Sequence, residues 1–185
     1  MPTATDRDFL DMRVSDVRRI VHSGQGQDHY VVLLQETGSD RRLPIWIGHE
    51  HALELALRLL GHSSQLPRPL TSDLSAHLVQ ALRGTVREVR IDRLTEGTYY
   101  AVIMVDGPYG ATEVDARPSD ALALALVVGA SIRADRAVVE TTESDETVAQ
   151  ALATIDSQRA VGPQAILDEL SEEAQRQDPP EPATS

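Results

Sequence analysis

The chain has no cysteine and no lysine. The first absence excludes disulfides and thiolate metal sites. The second makes all 17 basic side chains arginine, a composition that GC-rich coding would also produce. Guanidinium groups suit bidentate contacts to phosphate or carboxylate. Aromatic residues are scarce, six among 185, which leaves little material for stacking exposed bases. Trp46, the only tryptophan, lies in an apolar strand and is expected in the core. Long apolar runs are missing too: the longest, Ala121 to Ala130, is too short to cross a bilayer. The start, Met1 to Asp8, lacks the basic and apolar stretches of a signal peptide. A soluble, cytoplasmic protein is expected.

Several chemistries find no footing. No Walker loop, G-x-G-x-x-G or G-x-S-x-G occurs, so NTPase, dinucleotide and serine-hydrolase readings lack support and no organic cofactor is expected. The histidines form no H-E-x-x-H or H-x-x-x-H pattern. His49 and His51 stand two apart, which puts them on different faces of a helix. A structural zinc site is not expected, and His22, His29, His62 and His77 carry no assigned role.

The net charge of −12 is unevenly spread: residues 1–137 carry −3 and residues 138–185 carry −9. An acidic chain is a poor avid binder of nucleic acid as a whole, yet a nearly neutral body leaves room for a local arginine-lined site.

Three strand-like runs open the chain at 14–20, 30–35 and 42–48, separated by glycine-bearing turns at 23–26 and 37–40. A leucine-rich helix over 50–60 follows and ends at Gly61. The same order returns with strands at 86–91, 99–105 and 111–116 and a helix over 119–128 ending at Gly129. Ala52-Leu53 aligns with Ala121-Leu122 at an offset of 69 residues. The fold class expected is therefore α+β: an internal duplication of a β-β-β-α unit sharing one mixed, barrel-like sheet with flanking helices. Coincidence between two Leu/Ala runs is the competing account.

The domain spans 12–140 after a flexible N-terminus over 1–11, with repeats at about 12–61 and 85–130. A linker helix occupies about 72–83, closed by Gly84, and 132–139 reads as a closing strand. An acidic helical appendage over 141–176 carries helices at about 145–157 and 163–175, and 177–185, with three prolines, reads as disordered. The appendage either docks through its apolar faces on the body or a second subunit, lies over an arginine-lined groove, or merely solubilises.

Two Arg-Pro motifs lead into helix starts, Arg68-Pro-Leu-Thr-Ser-Asp73 and Arg117-Pro-Ser-Asp120. Thr71 or Ser72, and Ser119, can cap those helices, while Asp73 and Asp120 fall in the first turn, where the helix dipole favours a carboxylate. Free N–H groups at a helix start also bind anions. If the two starts are adjacent, Arg68 and Arg117 form a two-phosphate clamp. Plain capping and ion pairing, with Arg117 held by Asp115 or Asp120, explains the same residues without a ligand.

Leu43-Pro-Ile-Trp-Ile-Gly48, Arg68-Pro-Leu-Thr-Ser-Asp-Leu74 and Asp115-Ala-Arg-Pro-Ser-Asp-Ala-Leu122 together resemble the bifunctional nuclease domain family over about residues 12–140. The resemblance implies an α+β duplication, hydrolysis of phosphodiester bonds in DNA or RNA, and a homo-oligomer. It implies phosphate binding by Arg68, Arg117, Thr71 and Ser72, and catalysis by Asp73, Asp115, Asp120 and Ser119. Asp73, Asp115 and Asp120 would hold Mg²⁺ or Mn²⁺, hard ions that take oxygen ligands; Glu50 reads instead as a solvated first-turn residue. One departure matters: the family usually has histidine where this chain has Ser72, and a serine hydroxyl replaces imidazole poorly as base or ligand. A non-catalytic module binding a nucleotide, another anion or a protein through the same helix starts is the second reading.

Overall fold

Alternation of apolar and polar residues sets the first strand of the computed structural model, which describes residues 8–20, 28–63, 66–157 and 160–168. In β1 (Phe9–Ile20), Leu10, Met12 and Val14 are buried on one face; a bulge between Val14 and Asp16 resets the alternation so that Val17 points inward again. β2 (His29–Glu36) and β3 (Arg42–Ile47) complete an antiparallel meander, and α1 (His49–Leu59) follows. After α2 (Thr71–Ala81), a second meander runs through β4 (Thr85–Thr95), β5 (Thr98–Gly107) and β6 (Gly110–Ala116) into α3 (Pro118–Val128). Then come β7 (Ser131–Asp135), α4 (Arg136–Glu143), α5 (Glu146–Asp156) and the short β8 (Ala160–Val161).

The strands form one sheet in the order β3-β2-β1-β7-β4-β5-β6, with β8 beside β1. Every pairing is antiparallel except β4 with β7, so the sheet is mixed, and β7 separates the two meanders. Among the described residues β3 and β6 end the path without pairing to each other; the barrel-like expectation is not met by a hydrogen-bonded closure. One face of the sheet packs on α3, whose residues Ala121 to Ala125 are all buried, and on Leu55 of α1. Small residues along α3 let it lie close to β4, β5 and β7, with α1 and α2 on its flanks.

Two boundaries and one placement differ from the sequence reading. β1 starts at Phe9, inside the stretch expected to be flexible, because Phe9 to Met12 pair with Ile132 to Asp135 and Leu10 and Met12 enter the core. The strand expected over 132–139 stops at Asp135, whose carboxylate accepts from the Ala137 N–H at 2.9 Å and caps α4. Val138 and Val139 are then buried from a helix. Trp46 is 48% exposed on β3 rather than in the core, since its strand neighbour Ile45 takes the main-core face and Trp46 points to the other face on a strand that ends the sheet.

The appendage docks on the body. Ile155 of α5 packs against Ile20, Val31 and Leu33 on the other face of the sheet, and Ile166 is buried in the main core. Asp156 accepts two 2.7 Å bonds from Arg42. The rest of the helix expected over 163–175, from 169 onward, and the segment 177–185 lie outside the described residues. The Arg42 bonds, the leading cause, outweigh partial burial and hold the Asp156 carboxyl below its ordinary range. A depressed folded-state value contributes stability above the ordinary carboxylate range, and that contribution is lost as pH falls through the folded value. Acidification below about pH 4 is expected to loosen α5 first, read as faster hydrogen exchange over residues 146–156 before the β1 and β2 amides lose protection. Simultaneous loss at both places would mean the clamp is inert.

Candidate functional site

The first turns of α1, α2 and α3 open onto one cavity of about 490 Å³. Glu50, His51 and Glu54 reach it from α1, Thr71 and Ser72 from α2, and Arg117 and Asp120 from the start of α3. Its floor is apolar, with Ile103 and Val105 of β5 and Leu124 of α3. The extended backbone of Arg117 and the fixed φ of Pro118 at the first helical position start α3 without a side-chain cap. Arg117 thus stands at the helix mouth with a side chain 71% exposed.

At the centre, His51 Nε2 lies 2.9 Å from Asp120 Oδ1. Arg117 donates to both Asp120 oxygens, from Nε at 2.6 Å and Nη2 at 3.1 Å, and its Nη2 is also 3.3 Å from His51 Nε2. Partial burial pushes the Asp120 carboxyl up, but bonds from Arg117 and His51 outweigh it and the net direction is down, so the group is ionised. An ionised carboxylate only accepts. Nε2 of His51 must therefore carry the hydrogen toward Asp120, and the short approach of Arg117 to that nitrogen is a contact of like donors, not a second bond. In the neutral ring this leaves the lone pair on Nδ1.

Behind the cavity wall, Arg58 of α1 is nearly buried, its side chain 7% exposed. It donates to Glu54 at 2.8 Å and to Ser72 Oγ at 2.6 Å, and lies 3.3 Å from Asp73. The Ser72 hydroxyl donates in turn to Glu54. Asp73 accepts from the Leu70 N–H at 2.8 Å, closing the first turn of α2; Leu70 has no polar side chain to return the bond. Burial pushes the Asp73 carboxyl up, and the Leu70 and Arg58 bonds bring it below its ordinary range.

The structure brings together Arg117, Asp120, Thr71 and Ser72 of the expected set. Asp73 belongs to the α1–α2 clamp. Arg68 is exposed ahead of α2 and does not line the cavity. Asp115 is exposed on β6; Val114 beside it lines the cavity, so strand alternation turns Asp115 to the opposite face. Ser119 caps nothing; it is buried and lines an adjoining cavity of about 400 Å³. Glu50 is exposed at the rim, as expected. Sequence reasoning missed His51, Glu54 and Arg58. His51 carried a signal, since it stands 69 residues before Asp120 and so aligns with it in the suspected repeat.

Among the described residues no group of three or more His, Asp or Glu side chains is arranged to hold a metal ion. Asp73, Asp115 and Asp120 occupy three separate environments and do not fit the ligand set expected of them. Among the same residues, no helix is long and apolar enough to cross a membrane.

The profile of the bifunctional nuclease domain matches residues 31–147. Two relatives are the uncharacterized protein MT1877 of Mycobacterium tuberculosis strain CDC 1551 / Oshkosh and the uncharacterized protein Rv1829 of strain H37Rv. Each is 46% identical over 115 residues, 62% of this chain and 67% of the relative.

Proposed function

Because the chain belongs to the bifunctional nuclease domain family, we propose that the cavity at the three helix starts hydrolyses phosphodiester bonds of DNA or RNA. The observation that carries this reading is the His51–Asp120 contact at 2.9 Å beside the exposed guanidinium of Arg117. Arg117 binds a non-bridging phosphate oxygen through Nη1, the guanidinium nitrogen that makes no bond to Asp120. Asp120 fixes the His51 ring with its proton on Nε2, and Nδ1 takes the proton of the attacking water; as its oxygen bonds to phosphorus one P–O ester bond breaks, and the leaving oxygen takes a proton from solvent. The Thr71 hydroxyl, which lines the same cavity, donates to a second phosphate oxygen. The imidazole that Ser72 does not supply thus comes from α1. Mg²⁺ or Mn²⁺, if used, has no three-carboxylate cradle among the described residues, and no step here is assigned to it.

The test is cleavage of single- and double-stranded DNA and RNA with Mg²⁺, Mn²⁺ or EDTA, beside an Arg117→Ala/Asp120→Ala control. Cleavage that the control loses supports the reading. Cleavage no greater than the control favours the second reading, a non-catalytic module for an anion, nucleotide or protein. That reading draws on Arg117 and Asp120 already satisfying each other.

The internal duplication belongs to this proposal: two meanders, each followed by a helix, flank β7, and the 69-residue offset recurs in the His51–Asp120 contact. A cytoplasmic setting belongs to it as well. So does a homo-oligomer, for which α2 offers a surface. Leu74, Leu78 and Leu82, spaced by four, are 54%, 54% and 76% exposed, one apolar stripe along a helix. Leu78→Glu is expected to lower the mass found by light scattering to that of one chain; a wild-type protein already monomeric would remove this surface from consideration.

A further inference from the structure

His51 and Arg117 form a wall common to two cavities. The second, of about 400 Å³, lies between the end of β3, the β4–β5 turn at Gly97 and the starts of α1 and α3. The two differ in charge. Glu50, Glu54 and Asp120 line the first, whereas among the described residues Arg117 lines the second and no carboxylate does. Two helix starts turn their positive ends toward this acid-free space. Gly48 and Arg117 hold the N-cap positions of α1 and α3, 69 residues apart like His51 and Asp120, and neither start receives a side-chain hydrogen bond. The first intrahelical bonds run from the Ala52 and Ala121 N–H groups to the Gly48 and Arg117 carbonyls, each at 3.0 Å. The N–H groups ahead of them, including those of His51, Ser119 and Asp120, make no hydrogen bond among the described residues. Free N–H groups at a helix start attract anions, and the helix dipole adds to the attraction.

Ser119 is the side chain that points to a ligand. The residue is 7% exposed, and its hydroxyl makes no hydrogen bond among the described residues. A buried hydroxyl without a partner is costly to the fold and calls for an explanation. The oxygen is not one of the side-chain atoms sealed from solvent, so it stays open to the cavity that Ser119 lines. We propose that this second cavity holds a phosphate group, the neighbour of the one cleaved in the first, which makes a polynucleotide strand the substrate class. The Ser119 hydroxyl donates to one oxygen of that phosphate and the free N–H groups of α3 to another, while Arg117 stands between the two phosphates. The role of the first phosphate rests on the hydrolytic reading; the anion site in the second cavity does not.

The full chain, kept in EDTA, is titrated by calorimetry with inorganic phosphate, with a thymidine dinucleotide that has one phosphodiester, and with the same dinucleotide carrying a 5′-phosphate. The phosphorylated dinucleotide is expected to bind roughly tenfold more tightly than the plain one, the share of one charge-assisted contact. Ser119→Ala should close most of that gap and leave binding of the plain dinucleotide unaltered. Its Tm should equal or exceed that of wild type, since the hydroxyl holds nothing in the fold; a hydroxyl with a structural role would lower it. Ser119→Asp should abolish the gap, because its carboxylate repels phosphate although the first turn of a helix accommodates it. Equal affinity of wild type for the two dinucleotides, or a gap that both variants preserve, overturns the proposal. Ser119-dependent binding of inorganic phosphate without such a gap overturns it too, and leaves a site for a free anion. A Ser119-dependent gap in a protein that cleaves nothing would keep the phosphate site and remove the hydrolytic reading. Cleavage without the gap would do the reverse.

Discussion

Cleavage by His51→Ala is expected to fall by about 10²- to 10⁴-fold, the range that a positioned acid–base group supplies. The thermal midpoint should move little. His51 gives up one partly exposed hydrogen bond at 2.9 Å, worth about 1 kcal/mol. Asp120→Asn should be as damaging to rate for a different reason. An asparagine amide can donate to Nε2, which moves the ring proton to Nδ1 and removes the lone pair facing the water; a wrong tautomer of this kind has cost about 10⁴-fold in another hydrolase. Asp120→Ala, with no amide to donate, should lose less than Asp120→Asn. Arg117→Ala should act chiefly on KM. Rates for His51→Ala within a few-fold of wild type, at an unchanged fold, would take His51 out of the chemistry.

The largest effect on stability is expected from Arg58→Met. Methionine fills a similar length, but the change strips Glu54, Ser72 and Asp73 of the one cation they share. Breaking a buried pair by removing a single partner costs about 3–5 kcal/mol. For a chain of this size that corresponds to roughly 6–20 °C in Tm. The pH dependence separates this mechanism from simple loss of packing. In the wild type the folded-state value of Asp73 is depressed, so its contribution is present above the ordinary carboxylate range and lost as pH falls through the folded value. Without Arg58, two neighbouring carboxylates repel, and protonation relieves them. The gap in Tm between variant and wild type should therefore narrow toward pH 4. A gap constant with pH would assign the loss to packing instead. Removing the orphaned charges with Glu54→Gln and Asp73→Asn in the same chain should recover part of the loss.

These residues also mark how far the sequence could be read. Both meanders and the helices after them are legible, because the apolar runs at 14–20 and 30–35 and the Leu/Ala runs of α1 and α3 are local signals; the start of β1 at Phe9 is not, since it depends on pairing with β7. Asp115 was misjudged although the information was present: Val114 faces the cavity, and the neighbour of an inward strand residue points outward. The helix starts were found, but their caps were assigned by residue type, whereas Leu70 and Arg117 occupy the cap positions. His51, Glu54 and Arg58 gain their roles only from the angle at which α1 meets α2 and α3, which no short-range pattern encodes. Trp46 was placed inside by hydrophobicity, and the placement failed because β3 ends the sheet.

The His51–Asp120 contact has an evolutionary consequence under the proposed duplication. Positions 51 and 120 are equivalent in the two units, so the contact joins a residue to its own counterpart. An ancestor made of two identical units would have faced imidazole with imidazole, or carboxylate with carboxylate, across the axis relating them. Neither pairing yields a base oriented by an ionised partner. On that duplication, fusion of the units into one chain would free each side to mutate alone, and the polarity of the present pair is a state that a symmetric assembly of identical units could not reach.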